Sequence, residues 1–259
     1  MMRFVLPILL LLPIAARAQT VQQTLVDRST LAVQEMLSDP DASQARELMI
    51  RAKGAMICPS LFRAGFILGG QGGDCVMIGR GSGGGWSSPA FYGMGSGSIG
   101  LQIGLQDSEV LFIVLTEHGL QALLDSQFKI GADAGIAFAT LGGGVSGATT
   151  SALRADIVAF AKSRGLFAGL TLEGSVISQR SDWNSLYYGR PTGSQALVLN
   201  NEGQNPGAEP LKEMLAKFSN AAPAARAPAS PPPPPAYAPP AGYQPRGGVQ
   251  ATPLAPPRG

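Results

Sequence analysis

His118 is the only histidine in the chain, and a single imidazole rules out any metal site that needs several. A serine, histidine and acid triad would have to use it, yet no Gly-x-Ser-x-Gly elbow occurs. Gly144-Val145-Ser146-Gly147-Ala148 only approaches one. His118 falls at a predicted helix start, where hydrogen bonding at the surface is its ordinary role. Asp107 and Glu109 read as loop residues in a solvated turn between strands. The 34 glycines make chance motifs cheap: Gly142-x-Gly144-x-x-Gly147 and Gly95-x-Gly97-x-x-Gly100 both satisfy the dinucleotide fingerprint, in incompatible contexts. None of the five lysines stands in a Gly-x-x-x-x-Gly-Lys-Ser/Thr loop. These residues point to no enzyme, no cofactor and no metal.

The basic residues carry more. Arg46, Arg51, Lys53 and Arg63 lie within one short stretch opposed only by Glu47. Such a group can hold phosphate headgroups, each charge near an anionic surface contributing about 1 kcal/mol. Lys162 and Arg164 instead read as cations complementing the C-terminus of a predicted helix.

These side chains must be positioned by helices and strands. Between residues 21 and 37 apolar positions recur at helical spacing, with Val21, Leu25, Ala32 and Met36 on one face. That amphipathic face can meet a membrane or the protein's own sheet. Ser38-Asp39-Pro40-Asp41 stops the helix, and Asp41 with Gln44 predicts a capping-box start for a second one through about residue 53. Short β-branched and aromatic runs broken by glycine follow, from Ala55 to Leu115, and predict a curved antiparallel meander. The run 110–115 lacks polar alternation, so it should be a central strand buried on both faces. Thr116 opens a short helix over 120–124. A strand pair over 129–141, a helix over 152–163, one or two strands over 166–178 and helices over 182–188 and 207–219 complete the reading. The fold class is α+β: a curved antiparallel sheet or partly closed barrel packed with N-terminal and connecting helices.

The ends differ in kind. Residues 1–18 combine Arg3, the apolar run 4–14 and Ala16-Arg17-Ala18, the pattern of a cleavable secretory signal, with cleavage expected after Ala18. The run is too short to span a bilayer, so no integral membrane span is expected after cleavage. Lys+Arg then falls from 19 to 17 against 17 acidic residues. Residues 19–220 form one predicted domain with an acidic balance, which argues against a nucleic-acid partner. Residues 221–259 are Ala/Pro-rich, including the run 231–235, and predict an extended or disordered tail. That tail can act as a spacer or as a ligand for a protein partner. Cys58 and Cys75 can close a small loop in an oxidising compartment; a free cysteine can equally be a small buried hydrophobe, and spacing leaves both open.

Several segments together are too specific to be compositional. They include Arg51-Ala-Lys-Gly-Ala-Met-Ile-Cys-Pro-Ser60, Gly85-Trp86-Ser87-Ser88-Pro89-Ala90-Phe91, Phe128-Lys-Ile-Gly-Ala-Asp-Ala134, Ser163-Arg-Gly-Leu-Phe-Ala-Gly-Leu-Thr-Leu-Glu-Gly-Ser175 and Tyr187-Tyr188-Gly189. Over roughly 25–195 the chain resembles the SYLF domain, the fungal actin-patch-protein domain. The resemblance implies a non-catalytic lipid-binding module. It maps lipid contact to the helix at 21–37 and to Arg51, Lys53 and Arg63, with Lys129 of the Phe-Lys-Ile-Gly-Ala-Asp motif beside them. Trp86, Phe91 and the glycine motifs read as fold determinants. Export would separate this chain from actin and most phosphoinositides, leaving an anionic phospholipid or another envelope component in the periplasm or outside the cell. The competing reading is a protein-interaction or scaffold module, actin-binding in fungal relatives, whose proline-rich tail reaches an envelope partner.

Overall fold

The computed structural model describes residues 20–65, 68–81, 85–99, 104–141, 155–165 and 174–220. The expected signal at 1–18, the tail at 221–259 and the glycine motif at 142–147 lie outside them.

Two helices, α1 (Val21–Ser38) and α2 (Ser43–Ile50), precede four long strands: β1 (Gly54–Gly65), β2 (Leu68–Gly79), β3 (Ala90–Ile99) and β4 (Gly104–Val114). Helix α3 (Glu117–Leu124), short strands β5 (Gln127–Lys129) and β6 (Ile136–Thr140), then β7 (Ile157–Gly165) and β8 (Val176–Gln179) follow. The described chain closes with α4 (Ser181–Tyr188), α5 (Ser194–Val198), a 3-10 turn (Pro206–Ala208) and α6 (Glu209–Ser219). The eight strands form one sheet in the order β5-β8-β3-β2-β1-β4-β7-β6. Every pairing is antiparallel except β6 with β7.

The α+β class and curved sheet agree with the expectation. The register of β1 shifts against both neighbours between Ile57 and Phe62, and such a bulge bends a sheet and increases its twist. Gly73 answers the bulge from β2: a Cβ there would run into the Ser60 carbonyl oxygen.

Alternation divides the core between the two faces. Ile57, Val76, Ile78, Leu111 and Ile113 meet α1, α2 and α6 on one side. Met56, Met77, Tyr92, Val110 and Phe112 meet α3 and Phe128 on the other. Val110 through Val114 are all fully buried, so the predicted central strand is confirmed.

Five expectations need correction. The pairing is not a simple meander, because β8 returns beside β3 and β7 beside β4. The helix expected over 152–163 is replaced, from Ile157, by β7. Its residues are buried from both sides, Ile157 and Ala159 with one core and Val158 and Phe160 with the other, so the strand shows no polar alternation. Asp107 and Glu109 stand within β4 rather than in a turn, paired in register with Arg164 and Lys162 of β7. Lys162 therefore complements no helix end through its own element; its Nζ lies 3.0 Å from Glu35. Finally, α2 starts one residue later than the capping box expects: its N-cap is Ala42, which carries no side-chain acceptor, while Asp39 Oδ1 accepts the Asp41 amide.

The Thr116 start is as expected: its hydroxyl accepts the Gly119 amide at 3.0 Å. Cys58 and Cys75 are bonded, joining adjacent strands β1 and β2 with Cα atoms 4.2 Å apart.

Candidate functional site

At the end of the sheet where β1 begins lies a cleft of about 670 Å³ lined by Arg51, Lys53, Arg80, Glu117, Leu120 and Leu199, among others. Its position follows from backbone bonding. The Lys53 amide donates to the Val114 carbonyl and the Lys53 carbonyl accepts from the Arg80 amide, both at 2.8 Å. These bonds extend the β4-β1-β2 ladder one residue and fix Lys53 and Arg80 side by side. Arg51 is the exposed C-cap of α2.

Arg80 is anchored more firmly than its neighbours. Its guanidinium donates to the Ile50 carbonyl and to Asn220 Oδ1, and sits 6.0 Å from the Trp86 ring centroid, within cation–π range. Trp86 is held in turn, its indole N–H donating to Ser219 Oγ at 3.2 Å. Next to it, Tyr188 donates to the Pro89 carbonyl at 2.6 Å, and Ser88 Oγ donates to Asn201 Oδ1. Burial pushes the Tyr188 hydroxyl upward in pKa, so it remains a donor at any physiological pH. The Trp-Ser-Ser-Pro segment thus fastens the cleft wall to the C-terminal elements.

Three cations face one carboxylate here. Glu117 takes Lys53 at 3.1 Å with both side chains substantially exposed, a pair that contributes little to stability and can be exchanged for a ligand anion. Leu199, 43% exposed, adds an apolar surface beside the charges.

The sequence-predicted residues do not form one patch. Arg51 and Lys53 share the cleft, joined by Arg80, which sequence reasoning missed; a cation six residues before a tryptophan in a glycine-rich hairpin was the signal present. Arg46 is spent on structure, its Nη1 donating to the Leu37 and Asp39 carbonyls at 2.9 and 2.7 Å, where it caps the end of α1. Arg63 stands near the far end of β1, about 30 Å from Lys53 at strand rise. Lys129 is on β5, the sheet's edge strand on the β3 side.

Of the four predicted face residues on α1, Leu25, Ala32 and Met36 are buried in the core and Val21 is exposed. Gln23 secures the same helix, its Nε2 donating to the Gly207 carbonyl and its Oε1 accepting from Tyr187. His118 is exposed, with Nδ1 3.3 Å from Asp156 Oδ2. Among the described residues no three His, Cys, Asp or Glu side chains gather as metal ligands. No described helix is long and apolar enough to cross a membrane.

The sequence profile of the family described as Ysc84, Las17-binding protein actin regulator, matches residues 95–218, from β3 through α6. These residues form a Ysc84/SYLF family domain. SH3 domain-containing YSC84-like protein 1 of Xenopus laevis is 30% identical over 182 residues, 70% of this chain and 54% of that protein. The human protein of that name is 28% identical over 181 residues, covering 70% and 53%. Protein YSC84 of Saccharomyces cerevisiae is 29% identical over 168 residues, covering 64% and 36%. The chain thus spans about half the length of the curated animal relatives it matches. The SYLF relatives carry the names of binding and regulatory proteins rather than enzymes.

Proposed function

We propose that this protein is exported and binds anionic phospholipid at a membrane surface through the Arg51, Lys53 and Arg80 cleft, without catalysis. The carrying observation is the convergence of three cations from α2, the start of β1 and the end of β2 on one cleft with an exposed leucine at its rim. A phosphate headgroup matches the charges and the start of an acyl chain matches Leu199. The Cys58–Cys75 bond supports export, since such bonds persist in oxidising compartments.

The test is co-sedimentation of residues 19–259 with vesicles of phosphatidylcholine alone or mixed with phosphatidylglycerol. Binding should require the anionic lipid and weaken with salt. Arg51→Glu replaces one favourable charge by one unfavourable charge, worth about 1 kcal/mol each, so affinity should fall roughly thirtyfold. Equal binding by the variant would remove the cleft from the reading.

A second reading, a protein-interaction module, is favoured by one observation: a relative 27% identical over 172 residues is named LAS seventeen-binding protein 3. In that case the partner would be a protein, with the proline-rich 221–259 segment as one candidate ligand. Deleting that segment should abolish partner capture if it is the reader.

A further inference from the structure

The cleft has a direction as well as a charge. Next to Lys53 and Arg80 in sequence stand Gly54 of β1 and Gly79 of β2, paired in register. A Cβ at Gly79 would overlap Val198, and one at Gly54 would press on Leu120. The missing side chains therefore let α5 settle against the end of β2 and α3 against the end of β1. Each helix brings a different kind of group to the cleft. Leu199 follows Val198 at the β2 side, and Glu117 reaches Lys53 from the first turn of α3 at the β1 side. Between them stand Arg80 and Lys53, joined by a backbone hydrogen bond. Neighbouring strands lie about 4.8 Å apart, so the cleft runs in order from apolar to cationic to anionic.

Glu117 is the member that an anion alone does not explain. It competes with such a ligand for Lys53 and repels it, and a glutamine would serve a purely anionic ligand better. A carboxylate in the first turn of α3 suits the helix dipole, but that preference does not require contact with Lys53. The carboxylate becomes useful when the ligand brings an N–H cation of its own. An ammonium then takes Glu117 while Lys53 passes to an anionic oxygen. Arg80 is set in place before any ligand arrives, two of its five N–H donors holding it to Ile50 and Asn220. Arg51, exposed and one residue beyond Ile50, supplies a cation for a second anionic group.

On the lipid reading of the cleft, on which this inference rests, we propose that the cleft selects a phospholipid whose headgroup carries a primary ammonium and a carboxylate beyond its phosphate. Glu117 is the specificity-determining residue. Leu199 meets the acyl end, Arg80 and Lys53 the phosphate, Glu117 the ammonium and Arg51 the carboxylate. Phosphatidylserine is the simplest lipid with this set of groups.

The test is co-sedimentation of residues 19–259 with phosphatidylcholine vesicles that contain equal fractions of phosphatidylserine or phosphatidylglycerol, at one salt concentration. The two anionic lipids carry the same net charge near neutral pH, so both surfaces attract cations equally, and choline has no N–H for Glu117. Wild type should prefer phosphatidylserine about threefold, the worth of one exposed ion pair. Glu117→Gln should bind phosphatidylglycerol about fivefold more tightly than wild type, through loss of one repelling charge, and should lose the preference for phosphatidylserine. That gain also shows that the variant is folded. Glycerophosphoserine and glycerophosphoglycerol, which lack acyl chains, are the soluble competitors. A preference kept by the competitors assigns recognition to the headgroup alone, and a preference seen only on vesicles assigns it to the lipid. Equal binding of the two lipids by wild type, or a preference that survives Glu117→Gln, would overturn the inference and leave the cleft reading in place. Failure to bind either lipid would remove the cleft reading and this inference with it.

Discussion

The Cys58–Cys75 bond closes a loop of 17 residues, and its worth can be worked from that number. A cross-link of this span removes unfolded-chain entropy equivalent to about 3 kcal/mol at 25 °C. Both cysteines are fully buried on the face shared with Met56 and Met77, so reduction leaves two thiols that still fit the core and the loss is chiefly the chain term. The comparison is therefore wild-type protein, oxidised against reduced by refolding in dithiothreitol, followed by urea unfolding. With an m-value of about 2 kcal/mol/M the reduced midpoint should fall by about 1.5 M. Titration of unfolded, unreduced protein should find no free thiol. Two free thiols would refute the pairing. Identical midpoints for oxidised and reduced protein would refute the chain-entropy reasoning, and with it the case that β1 and β2 depend on oxidation.

Two further outcomes follow. Asp156 accepts hydrogen bonds from the Thr116 hydroxyl at 2.5 Å and the Gly135 amide at 3.1 Å; the Thr116 bond above all, with His118 nearby, holds its pKa below the ordinary 3.8. A depressed carboxylate stabilises the fold above its unfolded pKa and loses that contribution as pH falls through the folded value. Asp156→Asn should therefore lower the melting temperature at pH 7, and its deficit against wild type should shrink below about pH 4. On α1, Met36→Ala should cost about 2–5 kcal/mol in urea unfolding because Met36 is wholly buried, whereas Val21→Ala, at an exposed site, should change stability by less than about 0.5 kcal/mol.

Much of the fold was legible because single elements carry their own period. Leu25, Ala32 and Met36 announced α1, and the unbroken run 110–115 announced a strand buried on both sides. The failures came where burial removed the period. Ile157 through Ala161 are apolar on both faces of β7, so an alanine-containing run read as a helix. Strand β6 falls within the strand pair read over 129–141, but its parallel pairing with β7 was not legible. Non-local order was also illegible, since nothing in Val176–Gln179 says that it returns to β3. The candidate site was half legible for a related reason. Cations close in sequence were grouped as though close in space, yet a strand advances about 3.3 Å per residue, and β1 carries Arg63 to the end of the sheet away from Lys53. Arg80 came into the cleft only through the β1–β2 pairing.

The burial of α1 also decides how a membrane could be met. Leu25, Val26, Val33, Met36 and Leu37 are all buried against the sheet or its helices. At about 2 kcal/mol for each such side chain, exposing them costs on the order of 10 kcal/mol, comparable with the whole stability of an ordinary domain. Lifting this helix onto a bilayer would therefore amount to unfolding rather than to a local adjustment. A cleft built from the end of α2 and the ends of β1 and β2 demands no such rearrangement: Arg51 is already exposed, and Lys53 needs only to exchange Glu117 for a ligand oxygen. On energetic grounds the proposed lipid binding would use the cleft, and the apolar face of α1 belongs to the core.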